Sequence, residues 1–248
     1  MLYNLILVIV VAVMAIFFLS FLRFQYIIKH YMKGVKHMAI SKEEVIHIAK
    51  LACLNLSEKE IDGYTKDMQE ILEFARANPL RVILLYGNHC QYYIDKRRSC
   101  CRHDPKNYAA IAKLFEDNKD LFKFAHREGD YLFTHAGVCS GWLEYNDLTT
   151  DVDELVDYIN TNPSSIWQIG ESRGGGYGRW GSPLWCCWLG EWYYDDCQNQ
   201  LNIKQVFGHT NVGKGTYMFD NEKRIYMMDV QNCFLLKDDE FILLSPEN

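Results

Sequence analysis

The chain lacks the excess of basic residues that proteins binding nucleic acid without sequence specificity carry. Its 26 lysines and arginines are outnumbered by 32 aspartates and glutamates, which gives a net charge of −6 at pH 7. A nonspecific nucleic-acid binder would need a basic face toward the phosphate backbone. Direct binding to nucleic acid is therefore not expected.

The cysteines lack the spacing of a zinc knuckle. No two of the nine cysteines are separated by two residues, their number is odd, and four of them form two adjacent pairs. A disulfide framework normally uses an even number of cysteines in an oxidising compartment. We therefore expect free thiols in a reducing, cytoplasmic environment.

A complete phosphate-binding loop is also missing. The segment 208–215 nearly has the required glycines and Lys214, but Gly215 stands where serine or threonine would hold magnesium. The aromatic residues that follow favour a strand instead of the helix that supports a bound nucleotide. The segment is therefore not expected to bind a nucleotide.

Three short apolar runs of the sequence each lead into a triplet that carries a histidine. The runs are β-branched or aromatic, as is typical of strands that end in loops. Loops at strand ends are where an α/β scaffold collects its ligands. The pattern predicts one dispersed site, formed by Gly87-Asn88-His89 after residues 82–86, Thr134-His135-Ala136 after residues 131–133, and Gly208-His209-Thr210 after residues 205–207.

The residue types in these triplets suit a transition-metal site. A carboxamide oxygen and neutral imidazole nitrogens bind Mn, Fe, Ni or Zn, and two such ions can hold a phosphoryl group and activate water. We expect Asn88, His135 and His209 to be ligands. His89 need not bind metal and is then able to protonate a leaving alcohol as a general acid. The alternative is that each is an ordinary loop residue, since short motifs give false matches.

Five stretches, taken in order, carry a family resemblance over residues 75–248. That region resembles the carboxyl-terminal two thirds of a calcineurin-like metallophosphoesterase, of the bacterial branch close to serine/threonine protein phosphatases. The resemblance implies two sheets flanked by helices and hydrolysis of a phosphoester substrate at a centre of two divalent metal ions. It also implies that Asn88, His135 and His209 bind the second metal and that His89 is the catalytic acid. The stretches are residues 81–89, 130–138, 167–175, 181–185 and 205–210.

The chain departs from that family where the first metal should bind. The family's Asp-x-His and Gly-Asp-x-x-Asp motifs, which hold the first ion and bridge both, do not occur in the sequence. We therefore expect an α/β (α+β) fold with an incomplete two-sheet sandwich, at most one bound ion, and impaired activity. The strand ending at Tyr86 is expected to lose a neighbour and to expose backbone groups. Cysteines also replace the residues usual for the family at Cys90 and at Cys186-Cys187.

A glycine-rich segment, residues 172–178, lacks the strand-to-helix setting of a dinucleotide fingerprint. We expect it to form a loop over the metal site. Arg173 or Arg179 would then grip phosphate oxygens bidentately. The alternative is that both arginines are solvated surface residues.

Residues 38–74 resemble the start of the C subunit of the aspartyl/glutamyl-tRNA amidotransferase. Two capping boxes, at residues 41–44 and 57–60, each precede an amphipathic helical pattern and so predict a helical hairpin. The resemblance implies a small noncatalytic subunit that binds the other amidotransferase subunits. The pattern stops after two helices, which weakens that expectation here.

Residues 5–22 are apolar except for Ser20 and are followed by basic residues. The run is long enough to predict a transmembrane helix, with the following chain on the cytoplasmic side. The predicted domains are thus a membrane anchor and basic linker over 1–37, the hairpin over 38–74 and a truncated phosphoesterase over 75–248. In the alternative, translation starts at Met38 and the anchor is unrelated upstream sequence.

Three functions stay open from the sequence. The first is a metal-dependent phosphoester hydrolase, and the second is a noncatalytic component of the amidotransferase that resembles its C subunit. The third is membrane anchoring alone.

We also expect helices over 106–124 and 151–159, antiparallel strands over 225–230, 233–236 and 241–244 that close the second sheet, and packing of an aromatic cluster beneath the metal loops, formed by Trp185, Trp188, Trp192, Tyr193 and Tyr194.

Overall fold

The computed structural model describes most of the chain from residue 82 onward and short segments before it. The predicted helical hairpin and the start at Met38 lie outside the described residues, apart from a helical segment at residues 72–73. The domain boundaries stay predictions. The described ranges are 7–9, 72–73, 75–77, 79, 82–95, 108–162, 164–174, 178–194, 197–211, 217–229 and 234–243.

A five-stranded mixed sheet forms the centre of the described structure. In chain order its strands are β4 (Ala125–Glu128), β5 (Tyr131–Thr134), β6 (Lys204–Phe207), β7 (Met218–Asp220) and β8 (Ile225–Met227). They lie side by side in the order β4-β5-β6-β8-β7. The three inner strands run parallel to one another, and the two edge strands are antiparallel to their neighbours. Inner strands of such a sheet are covered on both faces, and every residue of these three strands except Lys204 is buried.

A second, three-stranded parallel sheet has the order β1-β2-β3. β1 (Leu7–Ile9) pairs with β2 (Val82–Leu85), and β2 pairs with β3 (Phe122–Lys123). The predicted transmembrane helix over 5–22 is therefore wrong at residues 7–9, which form a strand. A short, β-branched apolar run fits a buried parallel strand as well as a helix, and its period alone does not separate the two.

The same pairing corrects the expectation that the strand ending at Tyr86 lacks a neighbour. β2 has a partner on each side. All four of its residues are buried. The amino-terminal run thus supplies backbone partners to a strand that lies more than seventy positions later in the sequence. Within the described ranges, we find no helix that is both long and apolar enough to cross a bilayer.

Helices and short turns connect these strands. The predicted helix over 106–124 is too long, because the described helix ends at Asp117 and Phe122 and Lys123 enter β3. The predicted helix over 151–159 is confirmed, with Asp151 as the N-cap of α4. The α-helices are α1 Gln91–Ile94, α2 Tyr108–Asp117, α3 Ser140–Tyr145 and α4 Val152–Thr161, with 3-10 turns at Asn88–Cys90, Lys119–Leu121 and Glu171–Arg173 and a π-helix at Trp188–Tyr194.

The three carboxyl-terminal strands do not close one antiparallel sheet as predicted. β8 joins the five-stranded sheet beside β6, to which it is parallel. The last two strands, β9 (Phe234–Lys237) and β10 (Glu240–Leu243), form a separate antiparallel hairpin. Strand direction depends on which segments become neighbours, and this choice is made by tertiary packing.

The side chains of the strands alternate between two buried layers. On β2, Ile83 and Leu85 pack with Tyr131 and Phe133 of β5. The opposite face of β5 points Leu132 into the main core, which also holds the three predicted buried tryptophans, Trp185, Trp188 and Trp192. This alternation follows from the two-residue period of a strand. The described residues therefore form a mixed α/β fold with covered sheets.

Candidate metal centre

The predicted site residues come together where three buried strands end. His135 directly follows β5, and His209 follows β6 after one glycine. Because β5 and β6 are parallel, their carboxyl ends meet at one edge of the sheet. Asn88 lies in the 3-10 turn after β2 and approaches the same edge from the other sheet.

The side chains of Asn88, His135 and His209 are in direct contact. The Nε2 atom of His135 lies 2.9 Å from Oδ1 of Asn88 and 3.0 Å from Nδ1 of His209. Two ligand atoms that are each about 2.1 Å from an ion and at right angles to each other are about 3.0 Å apart. The spacing therefore fits three neighbouring positions of one octahedral ion.

Both histidines of this group are held neutral. Burial, followed by the charges of His89 and Arg173, lowers the pKa of His135 to about 3. The pKa of His209 is lowered well below its ordinary value, mainly by burial and then by His135. A neutral imidazole has a lone pair for a metal ion, whereas an imidazolium does not.

The backbone at His209 is unusual in a way that often accompanies a functional residue. His209 has a φ of 68°, in the left-handed region that side chains rarely adopt. Such strain costs about 1–3 kcal/mol and persists where surrounding structure enforces it. Here the amide of Gly208 donates to the carbonyl of His135 at 2.9 Å, which fixes the turn that carries His209.

The outer ring nitrogens of the two histidines, His135 Nδ1 and His209 Nε2, are buried and have no hydrogen-bond partner in the described part of the chain. Metal-binding histidines usually donate this second nitrogen to a carboxylate or a carbonyl. Across the same residues, no aspartate or glutamate joins His135 and His209 in a cluster of three ligands.

Asp229 is the acidic residue that the sequence analysis missed at this edge. Asp229 lies two residues after β8. A Cβ atom built onto Gly208 would lie 3.6 Å from the Cβ atom of Asp229. Burial raises its pKa above the ordinary value. Its position after a strand parallel to β6 was the signal that could have identified it.

His89 is half-buried and faces the aromatic wall of the site. Its ring centroid lies 6.1 Å from that of Trp185, which in turn lies 6.0 Å from that of His209. The indole Nε1 of Trp185 donates to Oε1 of Gln91 at 2.7 Å. Gln91 was not singled out from the sequence, although it lies two residues after His89. It fixes the tryptophan that borders both histidines.

The two predicted phosphate-binding arginines take different positions. Arg173 lies beside the site, because its Nη2 donates to Oγ1 of Thr210 at 2.8 Å. Its charge also lowers the pKa values of His135 and His209. The guanidinium of Arg179 instead lies 4.8 Å from the ring centroid of Trp180. Arg173 is therefore the better placed of the two.

Comparison with known proteins gives two separate kinds of similarity. No family model matches the chain. The C subunit of the aspartyl/glutamyl-tRNA(Asn/Gln) amidotransferase of Hydrogenobaculum sp. is 47% identical over 49 residues, which are 19% of this chain and 52% of that protein. The chain thus spans about half the length of this curated relative. The same subunit from Natranaerobius thermophilus is 30% identical over 94 residues, which are 38% of this chain and 92% of that protein.

Among solved structures, the similarities are to cold-active protein tyrosine phosphatases. One covers 74% of this chain and 60% of the phosphatase, with 20% identity and a TM-score of 0.46. The similarity to the enzyme from Shewanella sp. covers 74% of this chain and 62% of that enzyme, with 18% identity and a TM-score of 0.43. The chain therefore spans less than two thirds of these structures.

Proposed function

The chain belongs, over a segment of 94 residues, to the family of aspartyl/glutamyl-tRNA(Asn/Gln) amidotransferase C subunits, and we propose that its described α/β unit is a metal-dependent phosphoester hydrolase. The convergence of Asn88, His135 and His209 carries this proposal. An amide oxygen and two neutral imidazole nitrogens from three separate strand ends meet within hydrogen-bond distance. Such a group is unusual in a core that needs only packing.

The ligand atoms fit one divalent ion of the Mn, Fe, Ni or Zn class. His135 would use Nε2, His209 would use Nδ1, and Asn88 would use Oδ1. A bound ion supplies Lewis acidity toward a phosphoryl oxygen and toward water. Because a bridging carboxylate is missing from the sequence motifs, we expect a single ion that is held loosely.

The remaining residues give the site its roles toward a substrate. Arg173, fixed to Thr210, would bind nonbridging phosphoryl oxygens and orient the ester. His89 would donate a proton to the leaving-group oxygen, because it borders the ligand group without belonging to it. The buried side chain of Trp185 forms one apolar side of the site and would limit the access of water there.

The test is hydrolysis of p-nitrophenyl phosphate by the full chain with added Mn²⁺. We expect slow, metal-dependent turnover, and with an alkyl phosphate, whose alkoxide needs a proton to leave, His89→Ala should reduce turnover by about 10²-fold or more, the usual range for loss of a general acid. p-Nitrophenyl phosphate, which has a better leaving group, should show a smaller loss of turnover in His89→Ala, since its leaving group needs less protonation. His126→Asn is the matched control, because His126 lies on β4 and should leave turnover unchanged.

Two results would contradict the proposal. Turnover that is unaffected by His89→Ala and by His135→Ala would exclude the predicted site. Absence of Mn²⁺ binding to the folded chain, measured by isothermal titration calorimetry, would exclude the metal itself. Direct measurement of binding keeps the second result informative even when activity is low.

A second candidate function follows from the sequence match to the amidotransferase C subunits. We propose, as the alternative, that the chain binds other subunits of the tRNA-dependent amidotransferase. Co-purification of the tagged full chain with those subunits tests it, with residues 75–248 alone as the comparison. Retention by the full chain and not by the shorter form would favour a role for the amino-terminal segment. Retention by neither form would contradict this function.

A further inference from the structure

A second group of metal-ligating side chains lies in the core, apart from the histidines. It consists of Cys139, Cys186 and Glu191, whose ligand atoms all lie within 4.8 Å of one another. All three residues are buried. Cys139 is the N-cap of α3, Cys186 precedes the π-helix, and Glu191 lies within that helix. We call these three residues the thiol cluster.

We propose that the thiol cluster binds one Zn²⁺ ion as a closed structural site. The proposal does not depend on the hydrolase function, because it uses other residues. Thiolate sulfur with one carboxylate oxygen is a ligand set that zinc accepts. The three ligands come from separate parts of the chain, so a bound ion would join the loop after β5 to the π-helix.

The distances are close to those of a tetrahedral zinc site. With Zn–S near 2.3 Å and Zn–O near 2.0 Å, neighbouring ligands are about 3.8 Å apart for two sulfurs and about 3.5 Å apart for sulfur and oxygen. The Sγ of Cys139 lies 3.8 Å from Oε2 of Glu191. The other ligand pairs lie within 4.8 Å, so side-chain shifts of up to about 1 Å would complete the geometry.

Cys197 would be the fourth ligand after a movement of its side chain, because its Sγ is not among the ligand atoms that lie within 4.8 Å of one another. It is buried, and its thiol is in hydrogen-bonding contact with that of Cys139. The backbone amide of Cys197 donates to the carbonyl of Glu191 at 3.3 Å, which fixes it against the π-helix. Four protein ligands leave no open position, as is typical of structural and not of catalytic zinc.

The carboxylate of Glu191 has the supporting hydrogen bonds that a metal ligand normally has. Its Oε1 accepts from the hydroxyl of Ser172 at 2.8 Å, and its Oε2 accepts from the amide of Gly181 at 2.8 Å. These donors hold the carboxylate in one orientation. They also link the thiol cluster to both ends of the glycine-rich loop that carries Arg173.

The charges of the group also favour a cation. A fully buried carboxylate is costly unless it is paired or well hydrogen-bonded. The thiols of Cys139 and Cys186 lie beside this carboxylate. Zn²⁺ would displace their protons and balance the negative charge of the ligands.

The test loads the folded full chain with Co²⁺ in place of Zn²⁺ and records its absorption spectrum. Thiolate ligands give an intense charge-transfer band in the near ultraviolet, whereas imidazole and amide ligands do not. We expect the band in the wild-type chain and its loss in Cys139→Ser and Cys186→Ser. Elemental analysis of the zinc-loaded protein should show one fewer bound ion in each variant.

Cys187→Ser is the matched control, because Cys187 is a buried neighbour whose thiol accepts from the amide of Gly190 and lies outside the cluster. It should keep the band. His135→Ala should also keep it, so failure of the hydrolase proposal and failure of this one are separable. Circular dichroism of every variant establishes that it is folded.

Two outcomes would overturn the proposal. The first is a folded wild-type chain without a thiolate band after loading with Co²⁺. The second is a band that survives both cluster variants and disappears in Cys187→Ser. If the variants fail to fold, chelation of zinc from the wild-type chain is measured instead. An unchanged melting temperature after verified metal removal would then also exclude a structural zinc site.

Discussion

The histidine group and the thiol cluster are two ligand sets built on the same stretch of chain. His135 and Cys139 are only four residues apart, after β5. Gly137 lies between them with a φ of 86°, and its amide donates to Oγ1 of Thr134 at 3.0 Å. This turn sends His135 to the edge of the sheet and Cys139 into the core.

The two sets differ in accessibility and in completeness. The histidine group has three proposed ligands, borders the half-buried His89, and lies near the exposed Arg173. The thiol cluster is wholly buried, and its carboxylate already accepts hydrogen bonds from Ser172 and Gly181. Open metal sites serve catalysis and closed ones serve stability. The comparison therefore assigns different roles to two neighbouring groups.

The largest expected effect separates these roles directly. His135→Ala removes the ligand that contacts both Asn88 and His209. We expect Mn²⁺ affinity, measured by calorimetry, to fall by more than about 10²-fold, since loss of supporting residues alone can cost that much. The melting temperature of His135→Ala should change less than the melting temperature of Cys186→Ser, which is measured after loading with zinc. Equal effects of the two variants on both measurements would contradict the division of roles.

The close packing around the thiol cluster gives the next effect. A Cβ atom on Gly181 would lie 2.7 Å from the carbonyl oxygen of Trp185 and 2.8 Å from the amide nitrogen of Cys186. Backbone atoms cannot move aside cheaply, so Gly181→Ala should lower the free energy of unfolding in urea by about 3 kcal/mol.

Gly208→Ala is the control at the histidine group, because its nearest contact would be an ordinary 3.6 Å. We expect it to change the free energy of unfolding by less than about 1 kcal/mol. A larger loss in Gly208→Ala than in Gly181→Ala would show that the open site, not the closed one, is the more tightly packed.

The next smaller effect concerns Trp185, whose ring lies beside His209 of the histidine group. Gln91→Leu leaves Nε1 of Trp185 without its acceptor and should cost about 1–2 kcal/mol of unfolding free energy. Because Trp185 borders His89 and His209, the variant should also weaken Mn²⁺ binding. Cobalt binding at the thiol cluster should be unaffected. Calorimetry and absorption spectra on one preparation test both expectations.

The smallest effect uses a histidine that lies outside both groups. Burial, followed by the charge of Lys123, lowers the pKa of His126 to about 4 from an ordinary value of 6.5. The unfolded chain then binds a proton that the folded chain does not, so stability is lost as the pH falls from 6.5 toward 4. His126→Gln should make the pH dependence of unfolding shallower in this window. An identical pH dependence in both proteins would contradict the lowered pKa.

Much of the histidine group could be predicted because its signal is local. An apolar run followed by glycine and histidine identifies a strand end, and three such endings predicted Asn88, His135 and His209 correctly as neighbours. Gln91 and Asp229 were missed because their roles depend on contacts with distant residues. The thiol cluster was missed for the same reason, since its cysteines have no recognisable spacing in the sequence.

The sequence by itself determined that the apolar strands are buried, where helix α4 begins, and which residues end the strands. These features depend on residue periodicity and capping, which act over a few positions. Only the tertiary structure decided that Leu7–Ile9 is a strand beside β2, that β8 is parallel to β6, and that three thiols meet beside Glu191. Such neighbours are chosen by packing between segments that are remote in the sequence, and local patterns carry no information about that choice.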